Sequence, residues 1–361
     1  MNGETVVYVG TYTRGESKGI YIYRLDPSSG ALESAGVVPA GDNPAFLALH
    51  PERRFLYAVN EVREFSGKPS GAVSAFAIDR GTGNLTFLNQ QASVGSGPCH
   101  LTVDRTGRFL FVANYGSGSV CVLPIDAQGR LGEATDFIQH QGSSVNPRRQ
   151  AGPHAHSITL DPANRYAFAA DLGLDKVLIY RLDLERGKLI PNDQPWVQVK
   201  AGAGPRHFAF HPTGRYAYLI TELANTVIVF AYDSARGSLR EIQTVPTLPE
   251  GFQGTSYAAD LHLSPSGRFL FGSNRGHDSI AVFSIDEDTE LLAPVCHEPT
   301  RGKTPRGFAL DRTGRFLLAA NQDSNTVVTF RVDPQTGRLA PTGHVAEVPA
   351  PVCVKTMTLP G

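Results

Sequence analysis

Side chains able to hold an anion and move a proton stand at a few recurring places in this chain. GPHAHS at 152–157 carries His154 and His156, and GPRHFAF at 204–210 carries Arg206 and His207. Downstream, ITEL supplies Glu222 and FLFGSNR supplies Asn274 and Arg275. Guanidinium groups present paired donors in one plane, which suits a phosphate or a carboxylate. An imidazole or carboxylate beside an electrophilic carbonyl can take a proton from water. A neighbouring guanidinium can then stabilise the oxyanion. A small anion with a hydrolysable or cyclising carbonyl is the substrate this set fits.

Other chemistries lack their signatures. The Gly-x-Ser-x-Gly match GESKG at 15–19 lies between two β-like runs, without the strand-to-helix turn of a nucleophile elbow, which argues against a serine nucleophile. Neither a Walker loop nor a dinucleotide fingerprint in a βαβ context occurs, so no cofactor is expected. His154 and His156, two residues apart, are weak evidence for a metal on their own, and no metal site is expected. The formal net charge of −1 over 361 residues argues against a nucleic acid or an anionic membrane as partner. No window approaches the apolar length of a spanning helix. The N-terminal MNGETVVYVG does not have the basic-then-apolar pattern of a secretory leader. The four cysteines, Cys99, Cys121, Cys296 and Cys353, form no CxxC pair and read as free thiols in a reducing cytoplasm.

The elements that must position the reactive groups come from an internal repeat. RRFLYAVNE, GRFLFVANY, NRYAFAADL, GRYAYLITEL, GRFLFGSNR and GRFLLAANQ place equivalent arginines at 54, 108, 165, 215, 268 and 315. Their separations are 54, 57, 50, 53 and 47 residues. Each unit contains short β-rich apolar runs and turn residues, with no sustained helical period. Four strands per repeat of this length is the pattern of a propeller blade. Six units carry the arginine–aromatic signature, while the N-terminus supplies only the later strands of a seventh. The C-terminal PVCVKTMTL is left over as a strand. The expected fold is all-β: a seven-bladed propeller, four antiparallel strands per blade, over residues 1–361 as one domain. Pairing of residues 352–358 with 5–11 would close the ring and remove two sheet edges.

Blade geometry sorts the side chains. The start of each innermost strand and the end of the next strand face one mouth of the channel; the turns between them face the other. His100, His154, His156, Arg206, His207, Asp260 and Arg306 belong to the first group, with Asn60, Glu61, Asn114, Asp171, Glu222, Asn274, Arg275 and Asn321 at the neighbouring strand ends. His50 and His211 fall in the opposite turns and read as turn residues. The long irregular stretches 61–71, 139–152 and 247–258 also lie on the first face. Equivalent slots hold different residues from blade to blade: Cys99, His156, Arg206, Ala259 and Arg306 in one, His100, Ser157, His207, Asp260 and Gly307 in the next. Structural residues should recur, so this divergence marks a site for an asymmetric ligand.

GPHAHS, GAGPRHFAFHP, ITELANTV, YAADLHLSPSGRFLFGSNR and TPRGFALD, in this order, resemble the bacterial 6-phosphogluconolactonases of the seven-bladed propeller lactonase family, whose fungal branch includes carboxymuconate cyclases. The resemblance spans nearly the whole chain. It implies hydrolysis of 6-phosphogluconolactone to 6-phosphogluconate in the pentose phosphate pathway, in the cytoplasm. It also implies a catalytic set of His154 or His156, Arg206, Glu222 and Arg275. Aligned from the following turn, His156 takes the slot of Arg206 and is preferred. His100, His207, Asp260, Arg306, Asn114 and Asn274 are the expected substrate contacts, and Arg148 and Arg149 are weaker phosphate candidates. The alternatives are a muconate-type cyclase using the same groups on a dicarboxylate, and a non-catalytic propeller binding a ligand or protein on its face.

Overall fold

The computed structural model describes residues 3–360 and contains seven four-stranded antiparallel sheets, the blades of a propeller. Blade 1 is built from both ends of the chain. Its innermost strand is Pro351–Thr358, followed outward by Thr5–Thr11, Ile20–Leu25 and Leu32–Val38. Thr5 lies opposite Thr358 and Val9 opposite Val354, so the C-terminal strand closes the ring as expected. The innermost strands of blades 2 to 7 are Pro44–Leu49, Pro98–Val103, Ala155–Leu160, Pro205–Phe210, Tyr257–Leu263 and Pro305–Leu310.

The core consists of apolar layers between adjacent blades. The second strand of blade 2, Phe55–Asn60, is buried along its whole length. Leu56 and Ala58 pack towards Val6 and Tyr8 of blade 1, while Tyr57 and Val59 pack towards Leu110 and Val112 of blade 3. A strand covered on both faces has no polar side, which is why these runs read as continuously apolar.

The repeated arginine–aromatic motif is structural. Arg54 lies over the Phe55 ring at 5.2 Å, and Arg108, Arg165, Arg215, Arg268 and Arg315 repeat the contact in their own blades. The ring in turn packs against a glycine in the next blade's outer turn. A Cβ on Gly129 would lie 2.3 Å from the Phe55 ring, and Gly129 has φ +80°, so this position excludes side chains twice over. At the equivalent turn of blade 6 the glycine is replaced by Glu290 with φ 53°. Its carboxylate is compensated by Arg215 at 2.9 Å and His211 Nδ1 at 2.9 Å. His211 is therefore a turn residue that also holds a buried acid.

Candidate active site at the channel mouth

A β-bulge near the start of the innermost strand carries the divergent side chains. In blades 2 to 7 the pairing with the neighbouring strand slips at this point: between Pro98 and His100, Ala155 and Ser157, Pro205 and His207, and Pro305 and Gly307, for example. The skipped residues are Cys99, His156, Arg206 and Arg306 in those blades. A bulge releases one residue from the pleat alternation and re-aims its side chain. One fold device, repeated, thereby turns several different groups towards one mouth.

Glu222 stands at the centre of the cluster. Arg206 Nε donates to its Oε2 at 3.1 Å, and Arg275 Nη2 lies 2.9 Å from the same oxygen. Arg149, reaching in from the long crossover, donates to Oε1 at 2.5 Å. His156 Nε2 is 3.8 Å from Oε2. Glu222 and Arg206 are only 4% and 2% exposed. Burial by itself would raise the Glu222 pKa, but Arg275, Arg206 and Arg149 together hold it down to about 2. Burial lowers Arg275 to about 10 against the pull of Glu222, so its guanidinium stays charged at neutral pH.

His156 is set up differently. Burial, then Arg206, His207 and Arg306, push its pKa well below the usual imidazole value. Its ring is neutral at physiological pH and meets the Tyr115 ring edge-on at 5.2 Å. Cys99 Sγ lies 3.7 Å from its Nδ1. Burial drives the Cys99 thiol upward, which leaves it protonated and unreactive as a nucleophile.

His154 occupies a separate place. It stacks on Tyr115 at 4.5 Å, its Nδ1 is 2.9 Å from the Tyr115 carbonyl, and its backbone N–H donates to Asp171. It makes no contact with Glu222 within ion-pair distance among the described residues. The geometry therefore brings His156, not His154, to the carboxylate.

Arg306 is the guanidinium without a protein partner: among the described residues it makes no hydrogen bond or ion pair. It lies over the Tyr12 ring at 5.3 Å. Tyr12 donates to Glu61 Oε2 at 2.9 Å. Burial works against the Arg306 charge, but Tyr12, Glu61 and Glu222 more than offset it and raise its pKa. Burial raises the Glu61 pKa despite Arg306 and Tyr12. Four guanidiniums, Arg149, Arg206, Arg275 and Arg306, thus face the carboxylates Glu222 and Glu61, with Asp260 behind His207, an excess of at least one positive charge.

Other expected contacts are placed elsewhere. Asn114 and Asn274 are fully buried, and their amides donate to the Ser93 and Thr247 carbonyls, tying down the crossover that arrives from the preceding blade. Asn60 and Asn321 do the same for Ala40 and Thr300. A residue that recurs in four blades with the same bond is scaffold, so the expectation that Asn114 and Asn274 touch substrate is not met by their geometry. His100 lies deeper, its ring 4.4 Å from Phe46 and 5.4 Å from His207. His207 and Asp260 bind each other at 2.7 Å. Arg148 forms no ion pair among the described residues, in contrast to Arg149.

Sequence reasoning placed Glu61 at this mouth without giving it a role, left out Tyr12, Tyr115 and Tyr257, and ranked Arg149 low. Tyr257 lies under the Arg149 guanidinium at 5.6 Å. The available signal was divergence at the strand ends, where Glu61 and Tyr115 break the repeat. The opposite face offers a contrast. A cleft of about 300 Å³ between blades 1 and 7 is lined by Thr5, Leu25, Asp311 and Phe316. Its carboxylate, Asp311, is spent on the backbone N–H groups of its own turn. This open-sided cleft is also lined by Arg312 and Arg315, but no histidine lies among its described lining residues.

Comparison with known proteins agrees with this architecture. Residues 6–356 match the family described as "Lactonase, 7-bladed beta-propeller". The chain is 40% identical over 348 residues to a Bacillus subtilis 6-phosphogluconolactonase, covering 96% of this chain and 97% of the relative. A Formosa agariphila 6-phosphogluconolactonase is 36% identical over 309 residues, 84% of this chain and 86% of that one. The solved structure of a Pseudomonas aeruginosa periplasmic gluconolactonase superposes with a TM-score of 0.94 at 39% identity, over 99% of this chain and all of the other. Matches of this length and identity, together with the closed seven-bladed ring, establish that the chain belongs to the seven-bladed β-propeller lactonase family.

Proposed function

We propose that the chain hydrolyses a sugar lactone at this mouth, converting 6-phosphogluconolactone to 6-phosphogluconate as a step of the pentose phosphate pathway. The observation that carries the reading is the unpartnered Arg306 within a cluster of surplus positive charge, beside the neutral imidazole of His156. Arg306 is the group available to the phosphate, and a guanidinium fork matches phosphate geometry. Glu222, with its pKa near 2 and its oxygens occupied by guanidiniums, is a poor base. Its part is to hold Arg206 and Arg275 in place.

His156 is the proton acceptor in this reading. A water attacks the lactone carbonyl carbon as the imidazole takes one of its protons. The carbonyl electrons move onto oxygen, where Arg206 and Arg275 stabilise the negative charge. Collapse of the tetrahedral adduct breaks the bond to the ring oxygen, which leaves as a hydroxyl by taking the proton back from the imidazolium. The carboxylic acid product then ionises. The bound phosphate adds negative charge near His156, which favours the transient imidazolium.

The chain reads as one domain, because strands from both termini complete a single sheet. A cytoplasmic setting is consistent with four free thiols; cell fractionation decides between it and the periplasmic location in the name of the Pseudomonas relative. The decisive experiment is a lactone panel that includes 6-phosphogluconolactone, glucono-δ-lactone and a muconolactone, each corrected for spontaneous hydrolysis. Turnover of the sugar lactones above background is expected. Turnover of the muconolactone alone, or of none, overturns the proposal.

A further inference from the structure

Arg206 is held from a direction opposite to Glu222. Its Nη1 donates to the Ala259 carbonyl at 2.6 Å and lies 3.2 Å from His207 Nε2. A guanidinium has no acceptor, so His207 Nε2 must carry a lone pair there. The proton of the neutral ring then sits on Nδ1, which points at Asp260 Oδ1 at 2.7 Å. Asp260 Oδ1 also receives the Leu261 N–H at 2.9 Å. Its Oδ2 receives the Phe308 N–H at 3.2 Å and faces His262 Nε2 at 3.0 Å. Every group around this 6%-exposed carboxylate is a donor or can be one, and the backbone N–H groups leave no choice. Arg206 Nη2 has no protein partner among the described residues.

We propose that Asp260 is a positioning residue that acts through His207: by keeping the imidazole proton on Nδ1 it makes Nε2 an obligate acceptor for Arg206 Nη1, and so leaves the Nη2 edge of Arg206 free for the substrate oxyanion. Asp260 and His207 touch Arg206 and the scaffold, not the reacting atoms. The role rests on the proposed placement of Arg206 in the site. An amide in place of the carboxylate necessarily sets an NH2 against a backbone N–H and an imidazole. When that NH2 meets His207, the ring proton moves to Nε2, donor faces donor at Arg206, and the lock is lost. Mispositioning of a group by about 1 Å costs on the order of a hundredfold in rate.

Two readouts test this in the full chain. The first is a double-mutant cycle with 6-phosphogluconolactone. Asp260→Asn is expected to lower kcat tenfold to a hundredfold with KM changed less than threefold. In an Arg206→Lys background the same substitution should change kcat less than twofold, because its target is already gone. Losses that multiply across the two substitutions, or an unimpaired Asp260→Asn enzyme, overturn the proposal. If Asp260→Asn does not fold, His207→Asn enters the same cycle with the same criteria. The second readout is independent of activity. Imidazole 15N NMR of the unsubstituted chain at neutral pH should show His207 protonated on Nδ1 alone. An Nε2–H tautomer or an imidazolium would overturn the proposal. A chain with the expected tautomer but no lactone turnover would sink the functional reading and leave the brace standing.

Discussion

At the scale of single residues, Glu222 organises the site without being suited to proton transfer. Removing its charge leaves Arg149, Arg206 and Arg275 facing one another in a buried space. Glu222→Gln is therefore expected to cost about 3–5 kcal/mol of stability, and to lower kcat on the order of a hundredfold; thermal denaturation and steady-state kinetics check the two parts. Arg306 separates recognition from chemistry. Arg306→Gln should reduce kcat/KM for 6-phosphogluconolactone at least about tenfold, while glucono-δ-lactone turnover stays within about threefold. Equal losses on both substrates would remove Arg306 from phosphate recognition. His207 makes the fold sensitive to acid. Burial, then Arg206, lower its pKa to about 4, against the Asp260 carboxylate, with His100 and His156 also facing its ring. Between pH 6.5 and 4 the unfolded chain binds this proton and the folded chain does not, so stability falls as pH falls, by up to about 3 kcal/mol. Glu222, depressed from 4.5 to about 2, adds a further loss between those two pH values. Urea midpoints measured from pH 7 to 4 should decline, and His207→Asn should make the decline shallower, with buried His156 and His100, also held below the usual imidazole range, supplying the rest.

At the scale of elements, the bulged start of the innermost strand and the glycine of the outer turn have opposite constraints. The bulge tolerates cysteine, histidine, arginine or alanine, because its side chain points into the mouth instead of into a packed layer. The turn glycine is constrained, because a Cβ at Gly129 would meet a neighbour's aromatic ring; only blade 6 departs, with Glu290. Gly129→Ala should destabilise the fold by about 2–4 kcal/mol, through a positive φ and a clash with Phe55, with lactonase activity retained in the folded fraction. An unchanged melting temperature would refute the packing argument. This contrast explains which parts of the repeat were readable. The arginine–aromatic–glycine frame recurs and could be counted into blades. The bulge could be located only as the slot where the copies disagree.

At the scale of the whole molecule, a chain with a net charge of −1 concentrates a surplus of positive charge at one mouth. An anionic substrate is attracted to that mouth by a field that salt screens. kcat/KM for 6-phosphogluconolactone should fall several-fold between about 20 and 500 mM salt, and that for uncharged glucono-δ-lactone should not. The sequence by itself determined the number of blades, the closing strand and which face gathers the divergent charged side chains. Strand periodicity, turn residues and repeat length are local properties, and a ring of antiparallel blades turns them into position. It also picked out His156, Arg206, Glu222, Arg275 and Arg306 as symmetry-breaking. Only the tertiary structure decided what each one touches. Glu222 is clamped by three guanidiniums drawn from three distant parts of the chain. Asn114 and Asn274 are spent on the scaffold, and Arg306 has no hydrogen-bond or ion-pair partner among the described residues. A side chain's partners, burial and ionisation depend on groups brought together across blades, and hydrogen-bond pairing at about 3 Å cannot be read from spacing along one strand.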